Sequence, residues 1–307
     1  MPLPDAFFEL ARKVNNWGRW GTDDELGTLN LITPEAVRGA AGLVRRGRVF
    51  SLALPLGPDG PQIGAIPGRL NPLRTMLTVN RPVFDPDGFR TSDDVVVMGL
   101  QAATHWDALA HASYLGRIYN GHPIESLSEA GAARCGIGNV GRLVGRGVLL
   151  DVARAKGMER LDVPYAITGD DLDAACELGR VTVGPGDVVL VRTGLMQLLR
   201  AGDKQGYHGP TGPSFWSVEW FRDHDVAAVA TDNITFEYLD MARHPDLPLV
   251  VHLLHLVEMG LTQGQNFDLE ALADDCADDG VYEFLFEGSP EPFVNGLGAP
   301  VNPIVVK

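Results

Sequence analysis

Cysteine is scarce: Cys135, Cys176 and Cys276 are the only three in 307 residues, and no two are close in sequence. That excludes a disulfide framework and a thiolate metal cage, and it fits a reducing compartment. Positive charge is scarce too, with 25 lysines and arginines against 40 acidic residues and a formal net charge of −15. A diffuse attraction to nucleic acid or to an anionic membrane is therefore disfavoured. No stretch approaches the roughly 20 apolar residues that span a bilayer. The opening MPLPDAFFELARKVNNWGRW lacks a basic segment followed by an apolar core and a small-residue cleavage site. No GxGxxG or P-loop precedes a helical pattern, and GRLVGRGV is too irregular to cradle phosphate. The expectation is a soluble cytoplasmic protein with a small-molecule partner, and with no nucleic acid, membrane or nucleotide cofactor.

Glycine and proline are plentiful, 36 and 21 residues, spread as punctuation between short elements. Apolar runs at 48–56, 94–104, 147–154, 187–195, 225–233 and 281–288 have the near-continuous character of strands buried on both faces. Helical patterns lie between some of them. TPEAVRGAAGLVRRG opens on Thr33 as N-cap with Pro34 at the first helical position. GDDLDAACELG (169–179) has acids in its first turn and a glycine stop, and FDLEALADDCADDG ends at Gly280. The mixture predicts an α/β fold, and no linker divides the chain. Residues 1–307 are therefore taken as one domain, with 1–45 an N-terminal extension packing on it or on a neighbouring subunit.

The densest chemistry is QAATHWDALAHASY, residues 101–114. On an extended strand His105 and Asp107 share a side with Trp106 opposite. DALAHAS has helix-compatible composition, and a helix there would put Asp107 and His111 on one face. The three could converge as an open nitrogen and oxygen site for Zn²⁺, Mn²⁺ or Fe²⁺, where a metal polarises a carbonyl and acidifies water while His111 moves protons. The alternative is structural: His105 at a strand end, Asp107 capping a helix, His111 packed on Trp106 or Tyr114. Spacing leaves both open.

This stretch resembles the signature of the cyclase-like metal-dependent hydrolases, which include bacterial kynurenine formamidase and isatin hydrolase. The family's His-x-Gly-Thr-His-x-Asp-x-Pro-x-His stands here as Gln101-Ala-Ala-Thr104-His105-Trp-Asp107-Ala-Leu-Ala-His111. WGRWGTDDELGTLN, YLGRIYNG, GDVVLVRTG, ATDN and GLGAPVNPIVV are similar to its longer bacterial branch. The resemblance implies a swivelling β/β/α cyclase-like fold with a mixed sheet and a homodimer or homotetramer. It also implies metal-dependent cleavage of an amide, lactam or lactone bond, of which arylformamidase action on N-formylkynurenine is the best-known case. It places metal binding on His105 and Asp107, acid–base work on His111, and a distal ligand on His252, with His255 as the other choice.

Two positions depart from the pattern: Gln101 stands in place of its first histidine and Gln265 in place of its bridging glutamate. With Asp107 the one remaining anionic ligand, a pair of metals lacks the charge to offset its own repulsion. A single divalent ion, Mn²⁺ or Zn²⁺, is therefore expected on His105, Asp107 and His252, with Gln101 or Gln265 as weak or outer partners. A cyclase or lyase without net hydrolysis, and a metal-free binding protein, are the alternatives.

Other residues carry less. His252, His255 and Glu258 recur every three residues and would form a polar stripe on a helix. Trp20, Trp106 and Tyr119 are candidate substrate contacts, although packing and, for Tyr119-Asn120-Gly121, turn formation account for them as readily. Asp232, Asn233 and Glu237 close the run DVAAVATDN, as site residues or as caps.

Overall fold

The computed structural model describes residues 3–245 and 247–307. Nine strands form one mixed sheet: β1 (Val49–Ser51), β2 (His105–Asp107), β3 (Val144–Asp151), β4 (Val188–Arg192), β5 (Ala228–Thr231), β6 (Thr262–Gln265), β7 (Glu283–Glu287), β8 (Gly298–Pro300) and β9 (Ile304–Val306). Their order is β1-β9-β7-β3-β4-β5-β6-β2-β8. The central β3-β4-β5-β6 are parallel, and every other pairing is antiparallel. This is the α/β, mixed-sheet architecture expected from sequence.

The central strands are continuous apolar runs because both of their faces are covered. Val148, Leu150, Val189, Val191 and Val229 pack to one side, with Phe7, Val14, Leu172, Phe221 and Leu254 from helices Asp5–Val14, Gly169–Gly179, Val218–Asp223 and the segment 250–259. Leu149, Val188, Leu190, Ala228 and Ala230 pack to the other, with Leu272 and Cys276 of helix Glu270–Asp279 and with Phe284 and Phe286. Each such leucine, valine or phenylalanine contributes about 1.5–3 kcal/mol by leaving water.

Local signals hold where the chemistry is local. Thr33 Oγ1 accepts the Ala36 amide at 3.2 Å at the start of helix Pro34–Ala41. Thr168 and Asp171 form a capping box on the helix at 169–179, which closes on Arg180 in the left-handed region. The run at 94–104 behaves differently. Its first part belongs to an exposed hairpin, Leu73–Pro82 paired with Arg90–Val97, outside the nine-stranded sheet. Residues 98–104 are irregular up to β2.

The N-terminal segment is stitched to the same body. Asn16 N donates to Glu258 O at 2.9 Å, and Trp17 Nε1 to Val257 O at 2.7 Å. Gly27, at φ +60°, passes so close to Gly260 that a Cβ there would lie 2.0 Å from the Gly260 carbonyl oxygen. Only glycine fits this crossing. Polar residues collect where the central parallel strands end: Arg192 is held by Asp151 and Glu270, each at 2.8 Å. Asp232, just beyond β5, accepts the Thr193 and Gly194 amides at 2.8 and 2.7 Å. At the end of β6, Gln265 pairs in register with His105, the first residue of β2.

Candidate metal and catalytic site

β2 is short and wholly buried, and its alternation divides three neighbours between two environments. Trp106 enters the core against Phe267 and Phe286, its indole donating to Gly288 O at 2.8 Å. His105 and Asp107 take the other side, with Nε2 3.4 Å from Oδ1. His105 Nδ1 lies 2.7 Å from Ala103 O. That carbonyl can only accept, so Nδ1 carries the proton and Nε2 presents its lone pair.

His111 arrives without the expected helix. After Asp107 the chain turns through a single 3₁₀ turn, Leu109–His111, closed by His111 N donating to Ala108 O at 2.9 Å. The turn sets His111 Nε2 3.8 Å from Asp107 Oδ1. Its side chain is 25% exposed while those of His105 and Asp107 are at 0% and 1%, so His111 is the member of the trio in contact with solvent.

His252 comes from the other side, on a helical turn Val250–His252 that runs into a π-helix Leu253–Met259. Its Nε2 lies 3.9 Å from Asp107 Oδ2, and its Nδ1 is held by the fully buried Glu237. The same carboxylate accepts the Val251 and His252 amides at 3.0 Å each, so Glu237 is both a helix cap and the group that aims His252. The wide π-turn fans the anticipated stripe apart. His255 enters the core between Phe221 and Phe236, and Glu258 meets Tyr114 and Asn15.

The two glutamines take different positions. Gln265 Nε2 donates to Asp107 Oδ2 at 2.6 Å, holding one carboxylate oxygen and leaving the other free. Gln101 rests over Gly298, the residue paired with Asp107; a Cβ on Gly298 would lie 2.7 Å from Gln101 Nε2. The three suggested substrate contacts have partners of their own. Trp106 is in the core, on the face away from His105 and Asp107. Tyr119 is fully buried and donates to Asp24 at 2.9 Å, and Trp20 lies beneath the Arg19 guanidinium.

Electrostatics bind the cluster together. Burial alone would raise the Asp107 carboxyl, but His111, His105 and His252 around it hold it well below the usual carboxylate range. Asp107 pulls His111 upward, yet burial and the neighbours His252, His105 and Arg69 outweigh it and leave that imidazole below its usual pKa. Burial works against charge on His252, and Glu237 reverses this and raises it. Arg69, on the loop before the hairpin, escaped the sequence reading because no spacing ties it to the motif. A Cβ on Gly99 would lie 3.4 Å from its Cγ.

A metal's fit can be judged from the donor atoms. His105 Nε2 and Asp107 Oδ1 are buried side by side without a hydrogen-bond partner. Two acceptors left so are costly in an apolar interior, and a cation between them would satisfy both. The oriented Nδ1 atoms of His105 and His252 are the outer support that ligand histidines have. Among the described residues no group of three or more His, Cys, Asp or Glu side chains is arranged to hold a metal ion. The set is an open one built on the His105–Asp107 pair. A separate cavity of about 590 Å³ beside Leu26, Ile32, Val37 and Val140 has Arg142 as its one titratable lining group and offers no comparable chemistry.

With this fold and geometry in place, comparison with known proteins identifies the class. Residues 50–238 match the family described as putative cyclases, and the chain belongs to that family. The crystal structure of a novel cyclase is 38% identical, with a TM-score of 0.87 over 97% of this chain and 99% of that one. Isatin hydrolase A from Labrenzia aggregata is 19% identical, with a TM-score of 0.60 over 88% of this chain and 97% of that one. A predicted metal-dependent hydrolase from Bacillus stearothermophilus is 16% identical, with a TM-score of 0.51 over 85% and 98%. These last two share the fold. No curated protein matches the chain.

Proposed function

We propose that this chain is a metal-dependent hydrolase that opens an amide, cyclic amide or lactone bond, with one Mn²⁺ or Zn²⁺ held by His105 and Asp107 and with His252 alongside. The observation that carries this reading is the pair of buried, unpartnered acceptors, His105 Nε2 and Asp107 Oδ1, 3.4 Å apart between two further histidines. Arylformamidase-type cleavage is the finer form of the reading, supported by the resemblance of residues 101–111 to the family signature. Solved structures of similar fold called isatin hydrolase and predicted metal-dependent hydrolase support hydrolytic chemistry. Glutamine at 101 and 265 leaves Asp107 as the anionic ligand and supports one ion rather than two. A homodimer or homotetramer is the assembly we propose.

When bound, the ion supplies Lewis acidity toward a carbonyl and brings the pKa of water toward neutrality. The protein does the rest. Gln265 fixes one oxygen of Asp107 and so aims the other, Ala103 O fixes the His105 ring, and Glu237 fixes the His252 ring. His111 has a depressed pKa and an exposed edge, so it is neutral near pH 7. It takes the proton from the attacking water and returns it to the leaving nitrogen or oxygen. Arg69 adds positive charge near the cluster, suited to the carboxylate that hydrolysis releases.

The test is a panel of aryl formamides, lactams and lactones assayed with and without chelator in ¹⁸O-labelled water. The reading expects turnover that a chelator abolishes and Mn²⁺ or Zn²⁺ restores, with label in the product carboxylate. Metal-dependent product without label would instead indicate a cyclase or lyase. Turnover indifferent to chelator would refute the proposal.

A further inference from the structure

Among the described residues, every arginine withdrawn from full exposure but one is answered by a carboxylate. Arg134 meets Glu25 at 2.8 Å, Arg146 meets Asp187 at 2.6 Å, Arg154 meets Asp151 at 2.9 Å, Arg192 meets Asp151 at 2.8 Å, and Arg222 meets Asp225 at 3.1 Å. Arg69 is half-buried, yet among the described residues its guanidinium has neither an ion pair nor a hydrogen bond. Burial disfavours its charge, and Asp107 offsets only part of that. The loop that carries it is tied to the segment leading into β2, where Gly99 N donates to Leu70 O at 3.3 Å. Its charge acts on His111 and His252, so it stands beside the site. It is set further out than either histidine: they come within 3.8 and 3.9 Å of Asp107, and Arg69 makes no ion pair with that residue. In contrast to Arg222 Nε, none of its nitrogens is sealed in the interior.

We propose that Arg69 selects the substrate: its guanidinium pairs with a carboxylate that the substrate already carries, remote from the bond that is opened, so the site takes anionic amides or lactones in preference to neutral ones. This rests on the hydrolase reading and deepens it. Under that reading the carbonyl under attack lies at the His105–Asp107 pair, and the carboxylate released by hydrolysis forms there. A guanidinium set beyond His111 and His252 meets a different part of the same molecule. The charge that suits the released carboxylate is thus placed to act earlier, on an anion present before the reaction. Charge balance points the same way. With a divalent ion bound, Asp107 and Glu237 offset it, which leaves Arg69 without a counterpart until an anion arrives. The planar fork of a guanidinium matches the two oxygens of a carboxylate. A charge-assisted pair of that kind amounts to about 10–100-fold in affinity. The chain's net charge of −15 repels anions at large, so a local positive group is needed to bring one into this cleft.

The experiment compares Arg69→Met with wild type in two ways. Calorimetric titration of the full chain, with and without Zn²⁺, uses phenylacetate and its neutral counterpart phenylacetamide; it needs no turnover, so it stands even if the hydrolase reading fails. The variant should bind phenylacetate about 10–100-fold more weakly relative to phenylacetamide. Steady-state kinetics of the metal-loaded proteins then compare meta-formamidobenzoate with formanilide. The ratio of their kcat/KM values should fall by the same factor, carried by KM rather than kcat. Arg69→Lys, which keeps the charge but not the fork, should recover part of both effects. Far-UV circular dichroism checks that the two variants are folded. Equal losses for the two formamides in Arg69→Met would assign the residue to the released carboxylate and overturn the proposal. Phenylacetate binding that is absent in wild type, or unchanged in the variant, would overturn it too. No turnover of either formamide, with selectivity for phenylacetate lost in the variant, would sink the hydrolase reading alone.

Discussion

Glu237 does two things with one carboxylate, and Glu237→Gln separates them. In the native structure it is fully buried, accepts two backbone amides at 3.0 Å and grips His252 Nδ1. The amide side chain has nearly the same shape but keeps one acceptor oxygen, and its NH₂ must face either a backbone N–H or the imidazole N–H. Hydrogen bonds to a charged partner contribute about 1.5–3 kcal/mol each, and an orphaned buried donor costs about 1–3 kcal/mol. The substitution should therefore lower the unfolding free energy by about 2–4 kcal/mol, read from urea denaturation of the metal-free protein. Freeing His252 to rotate should also weaken metal affinity by about 10–100-fold, the usual effect of losing a ligand's outer support. Titration calorimetry with Mn²⁺ or Zn²⁺ measures it. A variant within about 0.5 kcal/mol of wild type and with unchanged affinity would refute the reasoning on both counts.

Three further substitutions probe other parts of the molecule. His111→Gln should reduce kcat about 10²–10⁴-fold while metal content by elemental analysis stays at the wild-type level, if the residue is the proton carrier that we propose. His255 is pushed down to about 3 by burial among Phe221 and Phe236. The unfolded chain protonates that side chain near pH 6.5 and the native chain does not, so its contribution is intact above pH 6.5 and is lost as the pH falls toward 3. From pH 6.5 to 5 this should cost about 2 kcal/mol, which His255→Leu removes from the pH dependence of urea stability. Equal slopes in the two proteins would contradict it. Gly27→Ala, which drives a Cβ to 2.0 Å from a backbone oxygen at positive φ, should destabilise by about 3 kcal/mol or more in the same assay.

The elements legible in the sequence were those whose signals are local. Strands β3, β4 and β5 announce themselves as continuous apolar runs, and Thr33 and Thr168 cap helices that begin where their chemistry says. β6 is Thr-Gln-Gly-Gln, polar and glycine-containing, and becomes a strand because it lies between β5 and β2, which no periodicity within four residues reveals. The valines at 95–97 mislead in the opposite direction, since an apolar run reads as a buried strand and here it stands exposed in the hairpin. At the site, alternation placed His105 and Asp107 together and Trp106 apart. Composition suggested a helix for His111 where a 3₁₀ turn stands, because the core around Leu109 and Ala110 sets the turn. The role of Glu237 was open between cap and site residue; across 15 positions it caps the turn at 250–252 and holds the His252 ring. Arg69 left no trace in the motif at all.

The central claim is that His105 and Asp107 form the heart of a site for one divalent ion. Elemental analysis of purified wild type, of His105→Ala and of Asp107→Asn, each after loading with Mn²⁺ or Zn²⁺ and desalting, tests it most directly. The account predicts one ion per wild-type chain and loss of that ion in both variants while each remains folded. Two ions per wild-type chain, or an ion retained in either variant, would contradict it.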